Sequence, residues 1–167
     1  DSGGYQVFSL SKLRRRQENG VSFQSHVDGA TLFLGPVEAM AIQCSLGSDI
    51  AMAFDECTPY PSTHDEARES LELTLRWAAA CLEQPRAEGQ LVFGIVQGGT
   101  HRDLREKATS AIAAMPFDGI AVGGVSVGEP EAEMVGALDW VAPGLPPERP
   151  HYLMGVGTPR QLVLGVL

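Results

Sequence analysis

Short apolar runs alternate with longer amphipathic stretches along most of this chain. Asp49-Ile50-Ala51-Met52-Ala53-Phe54 is apolar enough for a strand buried on both faces. A Pro-rich loop follows, and Thr63-His64-Asp65-Glu66 has the capping-box spacing that satisfies free amides at a helix start. Ala67, Leu71, Leu75, Ala78 and Leu82 then form one apolar stripe, which Pro85 and Gly89 end. The unit repeats. Leu91–Val96 reads as a strand, with Thr100 as the cap of a helix whose stripe is Leu104, Ala108, Ala111 and Met115. Gly119–Val122 is the next strand, and Pro130 suits the first turn of a helix carrying Met134, Leu138 and Val141. His151–Met154 is a further strand, and Thr158-Pro159 opens a last helix that the pattern expects to run on past the end.

Strand ends near residues 55, 97, 124 and 155 suit successive right-handed βαβ units of roughly 30 residues. The chain is therefore α/β, either a doubly wound sheet or part of a (β/α)8 barrel. With 167 residues it supplies only part of a barrel, which takes about 250. Residues 5–34 differ. Val21–His26 and Thr31–Leu34 flank Val27-Asp28-Gly29-Ala30, a hairpin signal, and Pro36 to Leu46 reads as a helix stopped by Gly47.

Composition narrows the class. Apolar residues are 44% and charged residues 20%, which excludes disorder. No apolar run nears the roughly 20 residues of a membrane-spanning helix. Acidic residues outnumber basic ones 21 to 12, against a generic nucleic-acid coat. Cys44, Cys57 and Cys81 lack metal-ligand or disulfide spacing and read as reduced thiols of a cytoplasmic protein. His26, His64, His101 and His151 show no metal spacing either. Asp1 without a leader and the uncapped apolar end lead to the expectation of an internal fragment.

In parallel α/β folds ligands gather outside the carboxyl ends of the strands. Asp55-Glu56-Cys57, Gln97-Gly98-Gly99, Gly123-Gly124 and Met154-Gly155-Val156-Gly157 fall there, and Asp1-Ser2-Gly3-Gly4-Tyr5-Gln6 is placed at the same mouth. Asp accepts from an N–H edge, Gln and glycine amides donate to a carbonyl, and Tyr5 and Met154 suit the two faces of a flat ring. A purine such as guanine is complementary. Plainer readings stand beside this one. Asp55 serves equally as a turn former, Gly-Gly as a tight turn or phosphate cradle, Met154 as core and Cys57 as a small buried hydrophobe. Lys12, Arg14, Arg15 and Arg16 read as a solvated charge run, with phosphate contact as the alternative.

These motifs, together with Gly47-Ser48-Asp49-Ile50, Phe54–Pro61, Phe93–Gly98, Val122–Gly124 and His151–Gly157, resemble the tRNA-guanine transglycosylases in order along the whole chain. The resemblance implies that residues 1–167 are part of a single (β/α)8 TIM-barrel domain, truncated at both ends, with an inserted β-hairpin near the N-terminus. It implies exchange of the wobble guanine of tRNA for 7-aminomethyl-7-deazaguanine in queuosine biosynthesis, through a covalent enzyme–tRNA intermediate. Asp1 would be the general acid/base. Asp55, Gln97 and the Gly124 amide would bind the base, and Tyr5 and Met154 would stack on it. Ser2, Gly3, Gly4, Cys57, Gly123 and Val125 would line the same pocket. Val127, as in bacterial members, would restrict the space beside the 7-substituent, and Glu129 would offset its cation. Gly155, Val156, Gly157, Thr158, Pro159, Arg160 and Gln161 would contact tRNA. The nucleophilic Asp and a Cys-x-Cys-x-x-Cys…His zinc site are expected outside this chain, so activity would belong to a longer, homodimeric, cytoplasmic protein with no membrane contact. A non-catalytic tRNA-binding partner subunit of the same fold and an archaeal-type base exchanger are the alternatives.

Overall fold

The computed structural model describes residues 2–3, 15–25 and 27–166. The expected hairpin is present as strands Gly20–Gln24 and Thr31–Leu34, and Arg15–Gln17 adds a third antiparallel strand. In chain order these are β1 (Arg15–Gln17), β2 (Gly20–Gln24) and β3 (Thr31–Leu34). Arg16 stays exposed, as the charge-run reading expects, but it has a partner. Its guanidinium binds both oxygens of the buried Glu56 carboxylate, at 3.0 and 2.9 Å. Lys12, Arg14 and His26 lie outside the described residues.

Helix α1 (Pro36–Leu46) begins with Pro in its first turn and stops where Gly47 takes φ 63°, a left-handed conformation that suits glycine. The main sheet follows: β4 (Ile50–Met52), β5 (Leu91–Val96), β6 (Gly119–Val122) and β7 (His151–Leu153), all parallel and in sequence order. Between them run α2 (His64–Leu82), α3 (Arg102–Ala114) and α4 (Glu131–Val141), and α5 (Pro159–Leu164) follows β7. The sheet is open, with β4 and β7 at its edges. Mixed α/β architecture is thus observed, while no closed barrel forms from these four strands.

Alternation along the strands divides the apolar side chains between two clusters. Ala51, Ala53, Val92, Val96, Ile120 and Val122 pack with Ala67, Leu71, Trp77, Leu104, Ala108, Ile112 and Met134 of the helices. Met52, Phe93, Ile95 and Ala121 form a second cluster that Met154 covers. Each fully buried Leu- or Ile-sized side chain contributes about 1.5–3 kcal/mol, so the helix-facing layer dominates stability. Trp77 joins it to the N-terminal strands, with its ring 5.0 Å from Phe54 and its indole N–H donating to Glu18 O at 2.7 Å.

Helix starts were partly legible. Thr63 caps α2, accepting from the Glu66 amide while Glu66 Oε2 accepts from the Thr63 amide at 2.8 Å. Thr158 and Gln161 do the same for α5. Thr100 does not cap α3; His101 occupies that position without a side-chain bond. The stripe of α3 also turns by one residue, burying Ile112 rather than Ala111, and adds Arg105 and Thr109. Among the described residues the last helix spans Pro159–Leu164.

The free edge of β4 has a local solution. Ala53 N and Asp49 O bond to β5, which turns the Met52 peptide groups toward the other side. Gln43 of α1 meets them there: its Nε2 donates to Met52 O at 2.9 Å and its Oε1 accepts from Met52 N at 2.8 Å. A buried side-chain amide takes the place of a neighbouring strand. Gln43→Met keeps the volume but leaves two buried peptide groups unpaired, each costing about 1–3 kcal/mol. We expect chemical denaturation of the full-length protein carrying this substitution to show a loss of about 2–4 kcal/mol. A loss below about 0.5 kcal/mol would mean that water or a neighbouring segment pairs the Met52 groups instead.

Candidate functional site

A cleft of about 840 Å³ opens on the sheet face away from the helices. Its floor is apolar, with Met52, Phe93, Tyr152 and Met154, and one end is polar, with Asp55, Cys57, Gln97, Gly123 and Gly124. That end lies beyond the carboxyl termini of β4, β5 and β6, where the sequence pattern expected it.

The stretch after β4 has no regular structure, yet it is buried and held. Glu56 N donates to Thr74 Oγ1 at 3.0 Å, Ser70 Oγ donates to Glu56 O at 3.2 Å, and Thr58 Oγ1 bonds Ser70 Oγ at 2.9 Å. Ser70 and Thr74 thus act as a pair of hooks on the inner face of α2. Asp55, only 8% exposed, is fixed by them from behind. In front, Gln97 Nε2 donates to Asp55 Oδ2 at 2.6 Å. Gln97 Oε1 is buried and has no hydrogen-bond partner among the described residues. A buried oxygen left without a donor costs about 1–3 kcal/mol, so this atom points to a ligand group or a bound water.

Burial pushes the Asp55 carboxyl up to about 6, against the lowering effect of the Gln97 hydrogen bond, and the charge of Glu56 adds to the rise. The site therefore holds an acceptor that loses its proton near the lower edge of the physiological range.

The other expected residues divide. Ser2 is buried and Gly3 takes φ 84° beside Leu34. Asp1, Gly4 and Tyr5 lie outside the described residues. Cys57 is buried, its Sγ bonding Thr58 O at 3.9 Å. Val125, expected in the pocket, instead packs its side chain into the main core and does not line the cleft. Val127 lines the cleft, and its N–H is held by Glu129 Oε2 at 2.9 Å. Gly155 lines the cleft edge. Arg160 is turned onto Glu131, its Nε and Nη2 both 2.9–3.0 Å from Glu131 Oε1. All three cysteines are free thiols. Among the described residues no three His, Cys, Asp or Glu side chains gather to hold a metal ion.

Sequence reasoning missed Phe93, Met52 and Tyr152 as the cleft floor, although their alternation with Val92, Ala51 and Leu153 carried the signal. It also missed Arg105. The guanidinium is fully buried and donates to Gly99 O at 2.8 Å, Val96 O at 3.1 Å, Gly123 O at 2.7 Å and Gly124 O at 3.0 Å.

With this geometry in place, comparison with known proteins decides the family. The family model "Queuine tRNA-ribosyltransferase" matches residues 1–167. The chain belongs to the queuine tRNA-ribosyltransferase family. It is similar to proteins of that name from Psychrobacter cryohalolentis (53% identical over 168 residues) and Pseudomonas aeruginosa (54% over 166), each match covering 99% of this chain. The relative from Acidithiobacillus ferrooxidans is 55% identical over 166 residues, again 99% of this chain. The chain spans 44–45% of the length of these curated relatives. The family's tRNA-guanine transglycosylase name fits the resemblance carried by the motifs. Among the described residues no helix is long and apolar enough to cross a membrane.

The Asp55 environment sets a pH dependence of stability. A carboxyl raised from 3.8 to about 6 binds its proton more tightly folded than unfolded, so ionising it opposes folding. The penalty is absent below pH 4, grows between about pH 4 and 6, and is complete above, reaching about 3 kcal/mol. Asp55→Asn removes the titration. Denaturation at pH 4 and pH 7 should therefore show the wild type losing stability relative to the Asn variant as pH rises. An unchanged or opposite difference would show that Asp55 is solvated or paired in the full-length protein.

Proposed function

We propose that this chain carries the base-recognition part of a tRNA-guanine transglycosylase. In this reading the full-length protein exchanges the wobble guanine of tRNA for 7-aminomethyl-7-deazaguanine through a covalent enzyme–tRNA intermediate. The observation that carries it is the buried Asp55–Gln97 pair at the polar end of an apolar cleft. Asp55 accepts from the N1/N2 edge of the base, and Gln97 and the Gly123-Gly124 backbone face its carbonyl side. Because Gln97 Nε2 already meets Asp55 with one N–H, it has a second to offer a ligand. Met154 covers one face of the ring and Tyr5 the other. Asp1 serves as general acid/base.

The remaining parts belong to the longer protein. The nucleophilic Asp is assigned beyond residue 167, as are the zinc ligands, and the protein works as a homodimer in the cytoplasm with tRNA as its partner. The (β/α)8 barrel would be completed by residues outside this chain, which would also pair the free edge of β7. Gly155, which lines the cleft, and the segment that follows it to Gln161 contact the tRNA. Should Arg160 engage a phosphate, it must first leave Glu131.

Asp55→Asn places a donor where the base presents donors. Losing a charged hydrogen bond in a buried site costs about 1.5–3 kcal/mol, or roughly 10- to 150-fold in rate at low guanine. Radiolabelled guanine incorporation by the full-length Asn variant should fall by that factor. Undiminished incorporation would remove Asp55 from the base site.

Val127 narrows the cleft beside Gly124, and Gly128, which follows it, has open space around it. Val127→Gly is expected to admit a bulkier 7-substituent while leaving guanine exchange within about 3-fold. Competition with queuine should strengthen measurably over wild type. If it does not, another side chain limits the pocket.

A further inference from the structure

Arg105 is an unusual way to spend a buried charge. It is 0% exposed, and its four hydrogen bonds all go to backbone carbonyls. Burial pulls it down to about 10, so it remains protonated near neutrality. Taking a cation out of water for neutral partners is expensive, and four oriented carbonyl dipoles offset part of that cost. A Leu at this point of the α3 stripe would fill the core more cheaply.

The four carbonyls belong to the last residue of β5 and to the turns after β5 and β6, the two that carry Gln97 and Gly123-Gly124. A trans peptide is planar, so a C=O pointing one way sends the next residue's N–H the other way. With Gly123 C=O held on the Arg105 side at 2.7 Å, the Gly124 N–H is directed away from the guanidinium. Gly124 itself takes φ 63°, and a Cβ there would sit 2.5 Å from Gln97 Oε1 and 3.3 Å from Arg105 Nη2. The loop is therefore packed between the Arg105 clamp behind and Gln97 in front, and both glycines line the cleft.

We propose that Arg105 is a positioning residue for base recognition: by fixing the Gly123 and Gly124 carbonyls it aims the Gly124 N–H at the 6-oxo group of a bound purine. The proposal rests on the reading of the cleft as a guanine site. It touches no substrate atom, and it selects for a base with a carbonyl acceptor at that position. The same clamp ties the Gly123-Gly124 turn to the Val96–Gly99 turn, so the two sides of the site keep their spacing.

Arg105→Lys in the full-length protein retains charge and length but lacks the fork that holds several carbonyls at once. Arg105→Gln, neutral and still a donor, serves if the Lys variant does not fold. Two free bases are used as competitors against labelled guanine. 2-Aminopurine lacks the 6-oxo group and with it the N1–H offered to Asp55. That second loss is common to wild type and variant, so only the change between them reads the 6-oxo contact. Hypoxanthine keeps both and lacks the 2-amino group. In the variant the preference for guanine over 2-aminopurine should fall about tenfold, the worth of one hydrogen bond. The preference for guanine over hypoxanthine, read at Asp55, should stay within about 2-fold. Guanine KM should rise more than kcat falls. Equal weakening of all three bases, or a fall in kcat alone, would make Arg105 a stabilising residue only and overturn the proposal. A wild-type protein that does not prefer guanine over 2-aminopurine would instead overturn the guanine-site reading beneath it.

Discussion

A parallel sheet delivers every strand-to-helix turn to one edge, and here that constraint brings together residues distant in sequence. Asp55, Gln97 and Gly123-Gly124 leave three adjacent strands in register, β4 to β5 to β6, and so meet side by side. The sheet alone fixes only where the turns begin. What makes a site of them is a second layer of restraint from the helices: Ser70 and Thr74 of α2 behind the Asp55 turn, and Arg105 of α3 behind the other two. Each helix follows the strand whose turn it braces or the one beside it. Short connections and right-handed crossovers make that geometry available without long-range searching.

The two buried ionisable groups of this region face opposite problems. Asp55 is buried where a ligand would be, keeps one strong hydrogen bond, and is left with a raised pKa and the free Gln97 oxygen beside it. Arg105 is buried away from the cleft and has its hydrogen-bonding capacity largely satisfied by carbonyls. Incomplete pairing marks the contact side of the site, and nearly complete pairing marks its support. The cost of the first is tolerable because the second makes the backbone rigid, in keeping with sites that store unsatisfied groups where binding will satisfy them.

Much of this was legible in the chain because the relevant rules are local. The Thr63–Glu66 box, the Thr158-Pro159 helix start, the Gly47 stop, the hairpin turn and the β4 to β7 positions follow from caps, turns and short apolar runs. Asp55, Gln97 and Gly123-Gly124 were visible because they stand immediately after strands. The misses have one physical origin: they depend on what an element packs against. Arg105 in an amphipathic helix looks solvent-facing until the turn carbonyls that need donors are placed beneath it. Arg16 looked like part of a charge run until β1 brought it against Glu56. Ile112 rather than Ala111 turns inward because α3 must cover Gly94 and Phe117, a demand that helical periodicity does not contain. Closure of a barrel is a property of more strands than these four.

Glycine placement also sets the shape of the cleft floor. Gly119 lies opposite Phe93 in the β5–β6 register, and a Cβ there would run into the Phe93 ring. On the opposite face, a Cβ at Gly94 would come within 2.5 Å of Phe117 and 2.9 Å of Ile112. Two adjacent strands thus each give up one side chain so that an aromatic ring can lie close to the backbone, one toward the helices and one toward the cleft. The Phe93 ring, flattened onto Gly119, leaves room above it for a planar ligand between Met154 and the Asp55–Gln97 end. A larger residue at 119 would tilt that ring into the cleft. On the proposed reading the polar end selects the edge of the base, while Gly119 lets the Phe93 ring lie back against the sheet and out of the cleft.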